Sequence, residues 1–475
     1  MKPILNTTLV ASLLLLLSTF SHATPISLAD YVQALYESHP TLKRLHASDA
    51  EQQATLQQQY AKWDTQLFFN GSYSKGLSSS FSSDFSPNTN SIALSAGRTK
   101  TINGSTHTLS SYHNQTTDIP NFGEVSLEDI FQFGISYTVT KPLLRDYQGR
   151  LTQSEQQRIS LQSRLLSIKR IEDEEEFLYQ RIAAFYDWVR LKKRVDLLAE
   201  EIQKASNQYQ LTHNLYKQNL VEKQDELRAK KRLKLTELSY ANEKNALAIQ
   251  TALIQKDMGL SEAILPDLTR ASLANSRPLS DTAVFSSRPF QLLDELHNDN
   301  KLALHIAEEL NKKQVDLTAG VTAGAYGTDL SSMAEDFGSS NEFKVAIAGS
   351  FSDEQHLSKS AMQASISAAQ RIHEEKKQLA WQLGHNYEQL SSMHALFTRY
   401  SDEQKDIIAL SESIEALEIQ AYKRAQRSSL ITIIETQRDL LQDQLQLIEF
   451  DFQKKLSYLG LLQLNDALLT EVQHL

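Results

Sequence analysis

Residues that could carry out catalysis are scattered through this sequence rather than grouped in motifs. The chain has 13 histidines and no cysteine, which excludes a thiolate nucleophile and a thiolate metal site. It contains no Gly-x-Ser-x-Gly, phosphate-binding loop or His-Glu-x-x-His motif. His373-Glu374-Glu375 lies in a helix-forming tract and is most simply part of a solvated face. The sequence therefore predicts no enzyme activity, no cofactor and no metal.

The N-terminus has the composition of a secretory signal peptide. Lys2 precedes the apolar run Leu9–Leu17, and Ser21-His22-Ala23 places small residues before a cleavage site. We therefore predict a signal peptide over residues 1–23 and export of the chain. A membrane anchor is the alternative, but the run is shorter than the ~20 residues that a spanning helix needs. The formal net charge of −10 argues against a nucleic-acid partner.

Two long tracts lack proline, the residue that most reliably interrupts a helix. They lie between Pro142 and Pro266 and after Pro289, and they are rich in strong helix formers. Apolar residues recur in them at steps of four and three, as in packed helices. We predict one helix over residues 152–216, hairpin turns near 220 and 426, and return helices that end at Gly259 and Gly460. The seam of the first tract comprises Leu191, Val195, Leu198, Ile202, Ala205 and Tyr209.

Four other segments alternate between apolar and polar residues, which is the period of a β-strand. Each is about as long as a transmembrane strand of ~9–11 residues, and a barrel with lipid outside and water inside has this alternation. A soluble sheet with one buried face has it too. The signal peptide and the long helices favour the barrel. The segments are Leu67–Ser74, Phe131–Thr140, Val315–Tyr326 and Phe343–Ser352.

Four strands cannot close a barrel in lipid, where every backbone group must be paired. Since the smallest membrane barrels have about eight strands, several chains must share one barrel. The stretch from Lys75 to Ile130 is long for a loop and contains Asn103-Gly104, a hairpin signal. It predicts either an additional hairpin at the cell surface, roughly Ile92 to His113, or a mobile surface loop.

The order of elements occurs twice along the chain. Helix, strand pair and helical hairpin follow one another in residues 24–265 and again in residues 290–475, with residues 266–289 as a linker. Tyr216-Lys217 and Tyr422-Lys423 open the two turn regions. A duplicated unit accounts for this order economically.

Several segments, in this order and spacing, resemble the TolC-like outer membrane efflux protein family. They are Leu28-Ala29-Asp30, Ser38-His39-Pro40-Thr41-Leu42, Thr140–Arg145 and Asn219–Ala229. The resemblance implies a mixed α and β fold in which each chain gives four transmembrane strands to a trimeric 12-stranded barrel. It also implies long helical hairpins that form a periplasmic tunnel.

The same resemblance implies a passive exit duct for efflux or type I secretion in the outer membrane of a Gram-negative-type cell, extending into the periplasm. A periplasmic adaptor protein, an inner-membrane transporter and outer membrane lipid would be its partners. A structural coiled-coil protein of the envelope, without transport activity, is the alternative function.

The resemblance also identifies candidate gate residues at the hairpin tips. Asp225, Tyr422 and Arg427 match the family's latch positions, where polar contacts hold the periplasmic end closed. The alternative is that they are ordinary polar residues on helix tips. Ile431 and Ile434 stand where relatives often carry acidic residues, so an apolar constriction would replace an acidic ring at the aperture.

Overall fold

The computed structural model describes residues 24–75, 90–117, 130–271, 273, 287–328, 335–350, 356–424 and 430–475. The predicted signal peptide and Arg427 lie outside these ranges. The strands are β1 Thr24–Ile26, β2 Gln66–Lys75, β3 Asn90–Ile102, β4 Ser105–Thr117, β5 Ile130–Pro142, β6 Ile264–Pro266, β7 Gln314–Gly327 and β8 Ser340–Ser350. The helices are α1 Leu28–Ser38, α2 Pro40–Tyr60, α3 Arg150–Lys217, α4 Lys223–Met258, α5 Arg288–Leu310, α6 His356–Lys423, α7 Leu430–Leu464 and α8 Leu468–Gln473.

Helices α3 and α6 are each 68 residues long, and α3 contains the whole predicted range 152–216. Helix α3 ends where Asn219 adopts a left-handed backbone with φ 57°. The N–H of Leu220 then bonds to the carbonyl of Leu215 at 2.9 Å, and the N–H of Asn219 bonds to Tyr216 at 2.9 Å. This is a Schellman cap, which satisfies the last carbonyls of the helix. No helix among the described residues is both long and apolar enough to cross a membrane.

The two return helices end differently, which corrects one prediction. Gly259 has φ 68° and ends α4 as predicted. Gly460, however, lies inside α7, which continues to Leu464. A Cβ at Gly460 would lie 3.1 Å from the side chain of Leu390, so glycine here permits a close approach of α6. The glycine serves packing rather than termination.

The chain divides into two compact units, each assembled from distant segments. Among the described residues, the helical unit comprises those within 24–48, 168–291 and 377–475, and the sheet unit comprises those within 49–167 and 292–376. Both units combine segments from the two predicted repeats. The repeat boundaries themselves stay a prediction.

The helical unit is built around an apolar core that several helices share. Tyr31 of α1 stacks on Phe185 of α3 at 5.4 Å, and Trp188 meets Phe185 edge-on. The indole N–H of Trp188 donates to Thr251 of α4 at 2.8 Å. Helix α7 contributes Leu459 and Leu462, both fully buried.

The sheet unit contains a six-stranded antiparallel sheet in the order β2-β3-β4-β5-β7-β8. Directly opposed residues of neighbouring strands share a face, so the register assigns every side chain to one of two faces. The apolar face includes Phe69, whose residue is 73% exposed, and Phe343, which is 72% exposed. Across the six strands this face carries Leu67, Phe69, Tyr73, Ile92, Leu94, Leu109, Phe131, Phe133, Ile135, Tyr137, Val139, Val315, Leu317, Val321, Phe343, Val345 and Ile347.

The sheet has six strands, where the sequence predicted four transmembrane strands and, as one alternative, an additional hairpin. The number of transmembrane strands stays a prediction. The hairpin predicted near Ile92–His113 exists, but its strands are longer and lie between β2 and β5 as full members of the sheet. Strand β4 was predicted from the Asn-Gly turn and not from alternation, because its apolar-face positions include His107, Ser111 and His113. These residues break the alternation on which strand prediction depends.

The turn of this hairpin forms at the two residues that the sequence predicted, Asn103 and Gly104. Asn103 and Gly104 both have positive φ, as a two-residue hairpin turn requires. A Cβ at Gly104 would lie 2.8 Å from the carbonyl oxygen of Asp146, just before α3. The turn therefore lies at the end of the sheet where α3 begins.

Candidate functional site at the hairpin tips

The first hairpin tip, between α3 and α4, holds a buried carboxylate with basic partners. Glu226 is buried, Nδ1 of His213 lies 2.8 Å from one of its oxygens, and Lys223 pairs with the other. The hydrogen bond from Lys223, followed by that from His213, lowers the pKa of Glu226. This carboxylate stays ionised and ties the start of α4 back to α3.

The predicted latch residue Asp225 precedes this carboxylate and is half-buried in the first turn of α4. Its N–H donates to the carbonyl of Glu222 at 3.1 Å. The structure thus places Asp225 at the tip, and the ion pairs just described belong to its neighbour Glu226. The sequence could not separate the two, because adjacent carboxylates on a helix differ only in the face that they occupy.

Tyr422, at the end of α6, lies against residues of the first hairpin. A small apolar cluster consists of Ala229 from α4 with Leu430 and Ile434 from α7, and Tyr422 and Tyr209 pack against it. The structure therefore brings Tyr422 and Ile434 together with the first hairpin. Ile434 is only 9% exposed within a single chain.

Arg232 of α4 is a tip residue that the sequence did not single out. Its guanidinium pairs with Glu201 of α3 at 3.0 Å, with their side chains 9% and 4% exposed. It also donates to Gln208 of α3 and Gln437 of α7, both at 2.7 Å. Gln437 in turn donates to Glu415 of α6 at 2.7 Å. We call Glu201, Arg232, Gln437 and Glu415 the tip relay, because it links all four helices of the two hairpins.

Burial and the neighbouring carboxylate act in opposite directions on the pKa of Arg232. Burial lowers the pKa of Arg232, and the neighbouring charge of Glu201 opposes that shift. A guanidinium starts from so high a pKa that it remains protonated, so the relay holds a permanent buried cation. Losing its partner would leave that cation uncompensated, which is much more costly than losing a surface ion pair.

A sequence signal for Arg232 does exist in retrospect. The tract Arg228-Ala229-Lys230-Lys231-Arg232 has the composition of a solvated face. Arg232, however, is three residues after buried Ala229 and four before buried Thr236, so all three share one face of α4. That spacing was the available clue.

The predicted aperture residues line a cavity of about 520 Å³ between α3, α4 and α7. Ile431 and Ile434 contribute apolar walls, and Glu435 also reaches it. Most of the other charged side chains that line the cavity are basic. One of them, Arg194, forms an ion pair with Glu243 at 2.7 Å. The cavity is lined by Arg194, Leu198, Arg228, Lys231, Arg232, Leu235, Thr236, Ser239, Asn242, Glu243, Ile431, Ile434, Glu435, Arg438, Leu441 and Leu445.

One group of three carboxylates in the helical unit has the spacing of a metal site. Oxygens of Glu172, Glu175 and Asp466 lie within 4.8 Å of one another. The guanidinium of Arg288 pairs with all three, at 2.5 Å for Glu172 and 3.3 Å for Asp466. The backbone N–H of Leu468 also donates to Glu175, at 3.1 Å. We interpret the group as an ion-pair cluster that joins α3, α5 and the C-terminal segment.

Comparison with protein-family models and with curated protein sequences finds no match. Solved structures do match. A CusC structure, described with its transmembrane channel formation, gives a TM-score of 0.65 at 11% identity, covering 94% of this chain and 95% of that one. The outer membrane protein VceC of Vibrio cholerae gives 0.64 at 11% identity, with 92% and 95% coverage. The chain has the fold of these outer-membrane proteins.

A third matching structure is that of a channel in its open state. The open state of the MtrE outer membrane channel of Neisseria gonorrhoeae gives a TM-score of 0.63 at 10% identity, covering 93% of this chain and 89% of that one. The sequence-based expectation of a mixed α and β fold with long helices, as in TolC-like channels, is confirmed. At such low identity the likeness concerns the fold.

Proposed function

We propose that this chain is a subunit of a passive exit duct that crosses the outer membrane and extends into the periplasm. The sheet carries the main support, because its apolar face is largely exposed and the outer edges of β2 and β8 have no partner strand among the described residues. In lipid such a face is favourable, and the edges require pairing with other copies. The likeness in fold to outer-membrane channels supports a trimer with these properties.

A duct of this kind provides a path and performs no catalysis. Its partners would be a periplasmic adaptor protein and an inner-membrane transporter, which supplies the energy. Efflux and type I secretion both fit this arrangement, and the class of inner-membrane transporter decides between them.

The hairpin tips are the proposed gate. The tip relay holds the two hairpins of one chain together through Arg232, and Tyr422 packs across the same junction. Contacts of this type can be exchanged for contacts with a docking partner, since the polar groups find new hydrogen-bond partners. Asp225 and Arg427 remain proposed latch residues, with Ile431 and Ile434 as the proposed aperture lining.

The first experiment tests assembly and location. Membranes from cells that express the full chain are fractionated, and the extracted protein is run with and without heating. We expect an outer-membrane species that migrates as a trimer until it is heated. A monomer in the soluble periplasmic fraction would contradict the duct and favour the structural coiled-coil alternative.

The second experiment tests the gate. Ile431→Asp should raise the cation-to-anion permeability ratio of single channels in planar bilayers, because a carboxylate at a narrow aperture attracts cations. Ile249→Asp is the control, since Ile249 lies 58% exposed on α4 and outside the cavity-lining set. Equal selectivity of the two variants would show that Ile431 does not line the aperture.

A further inference from the structure

The inserted hairpin β3–β4 changes the size of the barrel that the proposed duct would form. We propose that each copy contributes six strands, pairing through β2 and β8 with its neighbours, so that a trimer closes an 18-stranded barrel with a wide outer chamber. This inference rests on the proposed function. It adds the partner surface, the strand number and the size of solute that the outer section admits.

Strand length is the first support. Strands β3 and β4 have 13 residues each, which matches β5 and exceeds the 10 residues of β2. A tilted strand of ~9–11 residues spans the hydrocarbon layer. The inserted strands are therefore long enough to form part of the wall along its full height.

The register is the second support, because it aligns the two faces of β3 and β4 with those of β2 and β5, with His107, Ser111 and His113 among the outward positions of β4. Phe69 is opposite Ala96, Ala96 is opposite Ser111, and Ser111 is opposite Ile135. All four residues therefore share the apolar face. The two outward histidines of β4 lie beside aromatic side chains of β5, with His107 2.8 Å from the hydroxyl of Tyr137.

The opposite face joins the inserted hairpin to the rest of the wall through polar contacts. Gln132 of β5 donates to the hydroxyls of Tyr112 on β4 and Tyr326 on β7, at 3.4 and 3.0 Å. Asn114 of β4 donates to Gln132 at 3.2 Å. Such a hydroxyl- and amide-bearing surface suits a water-filled interior.

Strand direction is the third support. Because every neighbouring pair in the six-stranded sheet is antiparallel, the edge strands β2 and β8 run in opposite directions. Strand β8 of one copy can therefore pair antiparallel with β2 of the next, and the whole barrel stays antiparallel. The edges also carry apolar residues on the same face, represented by Phe69 and Phe343.

The strand number sets the width. With strands about 4.8 Å apart and tilted by about 40°, twelve strands enclose a backbone diameter of about 24 Å and eighteen about 36 Å. Side chains occupy part of this space, yet the larger chamber still admits solutes too wide for the smaller one. Size selection would then occur at the hairpin tips rather than in the sheet.

Cysteine labelling tests the position of the hairpin. Because the sequence has no native cysteine, only the introduced thiol can react. Ser95→Cys and Leu94→Cys place a thiol on opposite faces of β3. In proteoliposomes, a water-soluble maleimide should label Ser95→Cys at least about tenfold faster than Leu94→Cys, since lipid excludes the reagent. Ser136→Cys and Ile135→Cys on β5 are the matched control pair.

The control pair separates two kinds of failure. If the labelling rates differ between the two faces of β5 but not between the two faces of β3, the six-strand wall is contradicted and the proposed duct is not. Equal labelling rates on the two faces of both strands would contradict the membrane-embedded sheet, and with it the proposed function.

Imaging of the trimer in lipid nanodiscs then measures the barrel directly. We expect a backbone diameter of about 36 Å, and about 24 Å when a short turn replaces Asn90–Thr117. That variant keeps β2 and β5 antiparallel and their apolar faces aligned. A native diameter of about 24 Å, whether from a trimer or from a dimer with twelve strands, would overturn the inference.

Discussion

The helical unit buries its large apolar side chains, whereas the sheet unit leaves most of its own exposed. Trp188 of the helical unit is 0% exposed and has its indole N–H satisfied by Thr251. Phe69 of the sheet unit is 73% exposed, and most apolar residues of its strands are exposed as well. The helical unit thus gains its hydrophobic stabilisation within one chain, whereas the sheet has yet to bury its apolar face.

This difference indicates which interactions each unit needs to be stable. The helical unit contains its own core, buried ion pairs and helix caps. The sheet offers an apolar face and two free edges, so lipid and neighbouring copies would complete it. Core substitutions should therefore destabilise the first unit strongly, and matched changes in the second should act on membrane insertion.

The largest expected effect is a cavity in the helical core. Trp188→Ala should lower the free energy of unfolding of the helical unit by about 3–5 kcal/mol, because it removes a fully buried ring. Urea unfolding of the extracted protein, followed by the helical signal, measures it. Phe69→Ala is the matched aromatic control on the sheet and should change this value by less than about 1 kcal/mol. Similar losses in both variants would refute the contrast between the units.

The next effect concerns the tip relay within the helical unit. Arg232→Met should cost about 3 kcal/mol, because the buried carboxylate of Glu201 would keep only its pair with Lys204, whose side chain is 45% exposed. The same variant should expose the first hairpin tip to proteases. Lys234→Met is the control on the same helix, since its pair with Glu237 is exposed and worth less than about 1 kcal/mol.

The double variant Arg232→Met with Glu201→Gln sharpens this test. Removing both charges should restore part of the lost stability, since no buried carboxylate is left facing the lost guanidinium and Glu415 keeps its hydrogen bond from Gln437. If the double variant is as unstable as the sum of the two single variants, the ion pair itself contributes little and packing dominates.

Sequence patterns predicted the helices well because their signals are local and repeated. Helix α3 follows from the proline-free tract, and Asn219 ends it with the left-handed backbone that asparagine tolerates. The Asn103-Gly104 turn was likewise predicted from two residues. The position of the hairpin within the sheet was not predicted, because strand order depends on which distant strands pair. On β4, His107, Ser111 and His113 also interrupt the apolar alternation.

The tip site was only partly accessible from the sequence for a similar reason. Tyr422 lies at the junction of the hairpins, while Asp225 lies beside the carboxylate that forms the ion pairs. The spacing of Arg232 places it on the same face of α4 as Ala229 and Thr236, but only the packing of α3 and α7 around that face determines its burial. Such a role depends on long-range contacts that spacing alone does not encode.

The smallest expected effect is a pH-dependent one in the helical unit, at Lys455 of α7. Burial, followed by the nearby charge of Lys193, lowers the pKa of Lys455 to about 8, and Asp451 opposes the shift. Its ammonium donates to the carbonyl of Ala271 at 2.9 Å. In the unfolded chain a lysine titrates near 10.4, so the unfolded state binds more protons between pH 8 and that value. This group therefore destabilises the fold below pH 8, and stability rises as the pH increases through the window.

Lys455→Met should accordingly raise the free energy of unfolding at pH 7, by the order of 1–2 kcal/mol after the lost hydrogen bond is subtracted. The gain should shrink when unfolding is repeated near pH 10, where the wild-type lysine is neutral in the folded state. Lys234→Met, on an exposed part of α4, should show no such pH dependence. A loss of stability in Lys455→Met at both pH values would mean that two contacts of the ammonium outweigh the cost of burying its charge. These are the hydrogen bond to Ala271 and the position 5.3 Å from the ring centroid of Tyr186. Lys455 would then contribute net stability as a buried cation, as the relay assigns to Arg232, and apolar packing would not be the sole source of stability in the helical unit.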